Sequence, residues 1–483
     1  MNFNKYKTKN YYDEYFDHQN NPREYTKLLI NAINNLAPGD LKRKQEASEK
    51  SMYNMGITFK VYGESVTTER VIPFDIIPRV ISGNEWNPIE NGLIQRITAI
   101  NMFIDDIYNN QTIIKDGIIP EHIITSSKGF LPQCIGLSPP KKVWVHVTGT
   151  DLVRNIDGKF YVLEDNLCVP SGVSYALINR FLMKRNFPEV FYQSNVRQII
   201  DYPDKFMKML REVSPIPEDN ITTAILTPGI YNSAYFEHAY LAQQMGALLV
   251  EGQDLIYDGK FICARTIDGL RKIDVIYRRI DDHFLDPDIF NSDSILGCRG
   301  LMKAYREGYI TIANAPGTGV ADDKVIYAFI PEIIKYYLSE EPLLNNVPTR
   351  LCYRKNDLEY TLEHMNELVI KPASECGGYG LLIGPKATKK EIDEFKKVLI
   401  SNPRNYISQP TMQFSRAPVL SNKNFEGRHI DLRPFILYSG NNCHVLPGGL
   451  TRVALKKGSL VVNSSQGGGI KDTWITDTTF KGI

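Results

Sequence analysis

The most constraining feature of the sequence is an acidic segment, residues 148–166, whose pattern predicts a β-hairpin. Strand-like residues lie on both sides of an Asp-Gly pair at 157–158, and such a pair is typical of a two-residue hairpin turn. With that pair at the corner, Asp151 lies directly opposite Glu164. Because side chains alternate between the two faces of a strand, Asn166 shares a face with Glu164. The pattern therefore predicts two carboxylates and an amide in one small patch.

Two carboxylates in such a patch require a compensating charge. Directly opposed strand side chains have Cβ atoms roughly 5 Å apart, a distance at which like charges repel. Carboxylate and amide oxygens are the ligands that Mg²⁺ prefers, and protein-bound Mg²⁺ usually also binds nucleotide phosphates. The hairpin thus predicts a magnesium site formed by Asp151, Glu164 and Asn166. A solvated edge hairpin with acidic residues is the alternative that this segment alone leaves open.

Bulk composition restricts the class of protein. The chain has 483 residues, of which 43% are hydrophobic and 23% charged, as in a globular protein. Its 56 basic and 55 acidic residues nearly cancel, so charge gives no argument for binding nucleic acid or an anionic membrane. No signal peptide and no apolar run long enough to cross a membrane is visible. The seven cysteines include no Cys-x-x-Cys pair, which favours a reducing cytoplasm. Composition carries no signal about oligomeric state.

Hydrophobic patterns divide the chain into four expected regions. Residues 1–90 form an N-terminal helical and extended region, and residues 91–215 hold an amphipathic helix followed by the hairpin. In residues 216–320 the strand–helix–strand spacing predicts an α/β layer with a parallel sheet. Residues 321–483 alternate helices, strands and Gly-rich loops, and their last strands are expected to be antiparallel.

A predicted strand at 367–372 carries Lys371 and runs into a Gly-rich loop with Gly377, Gly378 and Gly380. A lysine at the end of a strand can bind phosphate, and glycines let backbone N–H groups approach phosphates closely. The loop is not a P-loop, because no Gly-Lys-[Ser/Thr] follows. An ordinary tight turn is the alternative interpretation of this segment.

Two arginines and one further lysine are additional candidates for phosphate binding. Arg433 and Arg452 lie on predicted strands, and arginine suits fork-like contacts to phosphate, although a paired surface arginine is the commoner case. Asp322 is expected to cap a helix. Lys324 would then lie near a helix N-terminus, where anions bind.

Two loops at the expected C-terminal edge of the parallel sheet carry polar side chains. Ligands of open α/β sheets bind at this edge, so these loops are candidates for the substrate end. The candidate residues are Asn232, His238, Arg278, Arg279, Asp281 and Asp282. Only loop position supports them, and salt bridges within the loops are the alternative.

Taken together, these segments resemble an ATP-grasp ligase whose parts occur in a permuted order. In that superfamily the lysine strand and Gly-rich loop come first, the arginine strands follow, and the acidic hairpin comes last. Here the hairpin precedes Lys371. The chain thus resembles the circularly permuted ATP-grasp family, whose members are often called glutathionylspermidine-synthase-like. The segments that carry the resemblance are residues 73–79, 163–172, 227–238, 314–324 and 463–474.

The resemblance implies a fold and a role for each candidate. The expected fold is a circularly permuted ATP-grasp fold of mixed α+β and α/β type, with an inserted α/β pre-ATP-grasp domain and an N-terminal helical region. The hairpin residues match Mg²⁺ ligands, and both lysines match residues that bind the ATP phosphates. The remaining matches are Ser374, Gly377, Gly378, Tyr379 and Gly380 in the phosphate lid, Gln409, Pro410 and Thr411 at the adenine hinge, and Arg433 and Arg452 at the γ-phosphate and acyl-phosphate. Glu375 and Cys376 depart from the small residues that relatives usually carry in the lid.

The activity that the resemblance implies is ATP- and Mg²⁺-dependent ligation of a carboxylate to an amine. The γ-phosphoryl group of ATP would activate the carboxylate as an acyl-phosphate, and an amine would then form a peptide-like amide. The implied partners are small-molecule or peptide substrates. An ATP-binding scaffold or sensor without ligase activity, and a phosphotransferase, are the alternatives.

Overall fold

The computed structural model describes residues 2–59, 70–216, 220–374, 380–421, 424–459, 462 and 468–477. The helices are α1 (Lys27–Asn34), α2 (Asp40–Asn54), α3 (Gly83–Tyr108), α4 (Thr112–Lys115), α5 (Glu121–Thr125), α6 (Val173–Asn186), α7 (Pro188–Gln193), α8 (Tyr202–Glu212), α9 (Tyr235–Met245), α10 (Leu301–Arg306), α11 (Lys324–Tyr327), α12 (Ile330–Leu338), α13 (Lys355–Glu363) and α14 (Lys389–Ser401). Among the described helices, none combines the length and the apolar character needed to cross a membrane.

The strands alternate with these helices along the chain. They are β1 (Thr58–Phe59), β2 (Arg70–Val71), β3 (Arg79–Ser82), β4 (Val147–Arg154), β5 (Phe160–Asn166), β6 (Thr223–Leu226), β7 (Leu248–Val250), β8 (Leu255–Tyr257), β9 (Ile262–Thr266), β10 (Gly269–Lys272), β11 (Val275–Arg278), β12 (Thr311–Ala313), β13 (Asn345–Asn346), β14 (Arg350–Leu351), β15 (Leu368–Pro372), β16 (Leu382–Ile383), β17 (Tyr406–Pro410), β18 (Arg416–Ser421), β19 (Asn424–Arg433), β20 (Phe435–Tyr438), β21 (Cys443–Val445), β22 (Leu450–Val453), β23 (Gly469–Lys471) and β24 (Thr473–Thr476).

A nine-stranded sheet joins the predicted hairpin to the last strands of the chain. Its main path runs β13-β5-β4-β19-β22-β23, with β18 on β19 and with β20 and β21 beside β4. Strands β4 and β5 therefore share one sheet with β19 and β22, although almost 300 residues separate them in sequence. This arrangement is the permuted order that the sequence predicted.

The hairpin pairs Asp151 with Glu164, as predicted. Nearer the turn, however, Arg154 pairs with Phe160, which is one residue away from the register of a two-residue corner. Leu163 is the additional residue, because it has no opposite partner in the ladder. A β-bulge of this kind inserts one residue into one strand and changes the register beyond it. The carboxylates thus meet as expected, although the predicted corner was wrong.

The predicted parallel α/β layer is present as the sheet β12-β11-β6-β7, in which every pair is parallel. Asn314, directly after β12, attaches this layer to the hairpin. Its Oδ1 accepts hydrogen bonds from the backbone N–H groups of His146 and Val147, at 2.7 and 2.8 Å. Its Nδ2 donates to the carbonyl oxygen of Leu167 at 2.7 Å. The C-terminal edge of the parallel sheet therefore lies against the ends of β4 and β5.

A small sheet, β14-β17-β15-β16, carries the lysine strand. Lys371 on β15 pairs with Ile407 on β17, so the lysine strand and the predicted hinge strand are direct neighbours. A separate small core holds this sheet to α13 and α14, and includes Met365, Ile370 and Leu399. The sheet is thus a compact unit that presents Lys371 toward the nine-stranded sheet.

Helix α3 begins with a capping box, in which Ser82 and Glu85 bind each other's backbone N–H groups. Most of its length is buried, and Arg96 connects it to the hairpin. The Arg96 guanidinium donates to both oxygens of Asp165, at distances of 2.6 to 2.9 Å. Asp165 points to the face of β5 opposite Glu164, so this ion pair holds the hairpin against the core helix.

The C-terminal strands are antiparallel as expected, except for the last. Strand β24 pairs in parallel with β3, whose residues precede α3. The expectation was wrong for β24 because its partner lies near the other end of the sequence, where local alternation gives no information. The N-terminal region is further attached by Glu14, which is fully buried between Arg79 and Arg154.

Candidate active site

A buried network of four charged side chains lies at the centre of the nine-stranded sheet. Arg433 donates from Nε to Oδ1 of Asp151 at 2.5 Å and from Nη2 to Oδ2 at 2.8 Å. Arg452 donates from Nη2 to Oδ2 of Asp151 at 2.7 Å. The Nε of Arg452 also donates to both oxygens of Asp431, at 2.9 and 3.0 Å. Both predicted arginines therefore contact the predicted metal ligand Asp151.

The pKa values of the two aspartates shift in opposite directions. Burial alone would raise the pKa of Asp151, but Arg433 and Arg452 more than offset it and hold that pKa below its ordinary value. For Asp431 burial is the larger effect, and its pKa is raised even though Arg452 opposes the rise. Asp151 is thus the more firmly charged of the two carboxylates.

The second predicted carboxylate lies beside the two predicted lysines. The Nζ of Lys324 is 3.6 Å from Oε2 of Glu164. The backbone N–H of Lys324 donates to the carbonyl oxygen of Ala373 at 2.9 Å, which places the start of α11 at the end of the lysine strand. Burial lowers the pKa of Lys371 to about 8, with Glu164 opposing and Lys324 reinforcing this effect. Both lysines and both carboxylates are therefore close enough to interact electrostatically.

The lowered pKa of Lys371 predicts that the affinity for nucleotide depends on pH. A protonated lysine attracts phosphate and a neutral one does not, so nucleotide affinity is expected to fall as the pH rises above about 8, by at most about tenfold per pH unit for one linked proton. In the Lys371→Arg variant the guanidinium stays protonated, and affinity should be constant over the same range. Fluorescence or calorimetric titration with a non-hydrolysable ATP analogue measures both proteins. Equal pH dependence in both would contradict the prediction.

The three predicted metal ligands differ in how well they fit a cation. The side chain of Glu164 is 21% exposed, and Asn166 donates from Nδ2 to the carbonyl oxygen of Gly149 at 3.0 Å, which leaves its Oδ1 as the acceptor. These oxygens fit a hard cation. Asp151 fits a cation less well in the arrangement described, because three guanidinium N–H groups already contact its two oxygens. Within the described residues no group of three or more His, Cys, Asp or Glu side chains is arranged as a metal site.

The predicted adenine hinge borders a pocket of about 510 Å³. Gln409 is buried and donates to Thr349, Pro410 is exposed, and Thr411 lines the pocket. Tyr11, Arg416 and His429 line it as well, and they were not among the predicted residues. The guanidinium of Arg416 lies over the ring of Tyr11, 3.9 Å from its centroid. The N-terminal segment thus forms one wall beside the hinge.

The predicted phosphate lid is only partly within the described residues. Ser374 and Gly380 are described and exposed, and Gly380 has a φ of +67°, which favours glycine. Gly377, Gly378 and Tyr379 lie outside the described residues. The lid assignments therefore stay predictions.

The predicted substrate residues mostly gather where the parallel sheet meets the loop after β5. Arg279 donates from Nη1 to the carbonyl oxygen of Pro170 at 2.5 Å and from Nη2 to the hydroxyl of Ser171. Arg433 donates to the carbonyl oxygen of the same Ser171 at 3.3 Å. His238 is buried in this region, and burial together with Arg279 holds its pKa well below the ordinary value. Arg279 and Arg433 thus contact the same residue, Ser171.

The other substrate candidates make contacts typical of structural residues. Arg278 is fully buried and donates to the carbonyl oxygens of Asn314 and Ile280, and it pairs with Asp282 at 2.9 Å. Asp281 is exposed. Asn232 accepts a hydrogen bond from the backbone of Ala234, in the turn before α9. Substrate roles for these residues stay predictions.

Two acidic residues of the site were missed or misassigned from the sequence. Asp431 lies two residues before Arg433 on one strand, so strand alternation could have placed both side chains on one face. Asp322 was expected to cap α11, but Asp323 does so by accepting from Val325 at 2.8 Å. Asp322 instead accepts from the backbone N–H of Leu167 at 2.6 Å, and burial raises its pKa to about 7. Only the fold brings Leu167 to this position.

Comparisons with known proteins identify the family of this chain. The sequence profile described as circularly permuted ATP-grasp type 2 matches residues 78–454. An uncharacterized protein of Synechocystis sp. is 53% identical over 475 residues, which cover 98% of this chain and 99% of that protein. A protein of Frankia casuarinae with the provisional name glutamate–cysteine ligase 2-2 is 38% identical over 469 residues. That match covers 96% of this chain and 53% of the Frankia protein, so the chain spans about half of its length.

A solved structure shows the same fold. The glutathione synthetase-like effector of Globodera pallida superposes with a TM-score of 0.60 at 10% sequence identity, covering 91% of this chain and 98% of that one. At this identity the likeness concerns the fold alone. Because the family profile spans most of the chain and the permuted sheet is present, the chain belongs to the circularly permuted ATP-grasp type 2 family.

Proposed function

We propose that this protein is an ATP-dependent ligase that joins a carboxylate to an amine and forms an amide. The observation that carries the proposal is the convergence of Lys371, Lys324 and Arg452 with the hairpin residues Asp151 and Glu164. These residues come from distant parts of the sequence, and together they supply several positive charges around one small region. Family membership supports the same conclusion.

Each group has a role that its position supports. Phosphoryl transfer depends mainly on positioning and on stabilising the charge that develops on oxygen. Lys371 and Lys324 would bind the phosphates, and Arg433 and Arg452 would bind the transferred phosphoryl group and the activated carboxylate. Glu164 and Asn166 are the oxygen donors that fit Mg²⁺, which would neutralise phosphate charge when bound.

The substrate end is best supported around Arg279. This buried guanidinium contacts Ser171, which also contacts Arg433, and its Nε has no hydrogen-bond partner among the described residues. A carboxylate substrate held near Arg279 would therefore lie next to the phosphoryl-binding arginines. The provisional name of the Frankia relative makes glutamate and cysteine the first pair of substrates to test.

The test is release of ADP from ATP and Mg²⁺ in the presence of amino acids, short peptides and amines. Glu164→Gln removes the negative charge of one predicted metal ligand, and Glu359→Gln, on the exposed surface of α13, is the matched control. Release that requires both a carboxylate and an amine, and that only Glu164→Gln abolishes, would support the ligase. Release with a carboxylate alone would indicate a phosphotransferase. Tight ATP binding without release across the panel would indicate a scaffold or sensor.

A further inference from the structure

Both oxygens of the Asp151 carboxylate already accept hydrogen bonds from arginine. Its Oδ1 accepts from Arg433, and its Oδ2 accepts from both Arg433 and Arg452. The side chains are 1% exposed for Asp151, 6% for Arg452 and 14% for Arg433. Water therefore cannot replace either partner easily, and Arg433 in particular depends on Asp151 for its charge compensation.

A divalent cation alone would have to bind a carboxylate that three guanidinium N–H groups already contact, so it competes with these arginines for Asp151. A buried guanidinium that loses its carboxylate keeps the cost of desolvation without the attraction that offset it. Arg452 would retain Asp431, but Arg433 has no other carboxylate partner among its described contacts. Displacement by the cation alone is thus unfavourable.

The charges around the site also disfavour the binding of a divalent cation alone. The carboxylates Asp151, Glu164, Asp322 and Asp431 face the cationic side chains Arg433, Arg452, Lys324 and Lys371. The formal charges of the two sets therefore balance. A divalent cation alone would add an excess of positive charge, whereas a cation that arrives with a polyphosphate would not, because the phosphates carry negative charge and can accept the arginine N–H groups.

We infer that Asp151 is a positioning residue that holds Arg433 and Arg452, and that it becomes a cation ligand only when a polyphosphate takes over these arginines. The divalent cation and the nucleotide then bind together. The phosphates replace Asp151 as the partner of the arginines, and the cation replaces the arginines as the partner of Asp151. The inference rests on the proposed function only in assuming that a polyphosphate binds here. It makes no assumption about which bond is formed.

The test is binding of Mn²⁺ to the nucleotide-free protein, measured by electron paramagnetic resonance or calorimetry. Arg433→Met frees Oδ1 of Asp151, so we expect Mn²⁺ to bind about tenfold or more tightly than to the wild type. Lys371→Met is the matched control, because it removes the same charge without removing a hydrogen bond to Asp151. It should change the affinity by less than about threefold. Adding Glu164→Gln to Arg433→Met should abolish the gain.

Two results would overturn the inference. One is equal Mn²⁺ affinity in Arg433→Met and Lys371→Met, which would show that general charge and not Asp151 limits binding. The other is tight Mn²⁺ binding by the wild type without nucleotide. Arg433→Lys, which keeps the charge but cannot bridge both oxygens, serves as a second variant if Arg433→Met does not fold. Because no turnover is needed, a gain in Mn²⁺ affinity without ADP release would separate this inference from the ligase proposal.

Discussion

Replacing Arg433 with methionine is expected to lower the turnover of the ligase by about 10³-fold, since an arginine at a transferring phosphoryl group contributes on this order. Arg433 is the predicted arginine with the greater exposure, at 14%, and it links Asp151 to the loop at Ser171. The measurement is the steady-state rate of ADP release with the carboxylate and amine that support release in the substrate panel, compared at saturating ATP. The effect should appear mainly in kcat, because the lysines would still bind the phosphates.

Arg428→Met is the matched control for this experiment. Arg428 lies on the same strand, β19, but pairs with Glu426 at 2.8 Å and does not contact Asp151. Its replacement should leave the rate within about twofold of the wild type, because only interactions with the reacting groups change the rate of the chemical step. A rate for Arg433→Met above a tenth of the wild-type rate would contradict the role proposed for Arg433.

Replacing Glu14 with glutamine is expected to reduce the free energy of unfolding by about 3–5 kcal/mol, because it leaves the buried Arg79 without the carboxylate it pairs with and leaves Arg154 with Glu85 alone. Glu14 is fully buried, 2.6 Å from Arg79 and 3.2 Å from Arg154, and it also accepts from the hydroxyl of Ser415 at 2.6 Å. Urea unfolding at neutral pH measures the change. The exposed Glu24, which pairs with Lys27, provides the control Glu24→Gln, with an expected change below about 0.5 kcal/mol.

The same network predicts that the contribution of Glu14 to the free energy of unfolding depends on pH. Burial alone would raise the pKa of Glu14, but Arg79 and Arg154 lower it below the ordinary value. A depressed carboxyl pKa stabilises the folded state above the pKa of the unfolded chain, and this contribution is lost as the pH falls through the folded pKa. The difference between wild type and Glu14→Gln should therefore shrink in acid. A difference that stays constant from neutral pH into acid would contradict this assignment.

Local sequence patterns were sufficient to predict much of the fold. Residues 88–110 have helical periodicity and form most of α3, and residues 223–278 have the strand–helix–strand spacing that the parallel sheet confirms. The pairing of Asp151 with Glu164 was also predicted, because strand alternation and turn chemistry act over a few residues. The permuted order and the family could be recognised because the motifs are short and contiguous.

By itself, then, the sequence determined the family and the fold class, and it predicted several of the charged residues that lie together. Only the tertiary structure decided how their charges are paired. Arg433 and Asp151 are separated by 282 positions, and no local pattern reports that this arginine occupies both oxygens of a predicted metal ligand. The β-bulge at Leu163, the parallel pairing of β24 with β3 and the contact of Asp322 with Leu167 depend in the same way on the folded structure. The physical reason is that periodicity and turn propensity are local properties, whereas the partner of a buried charge is set by whichever opposite charge the folded chain brings within a few ångströms.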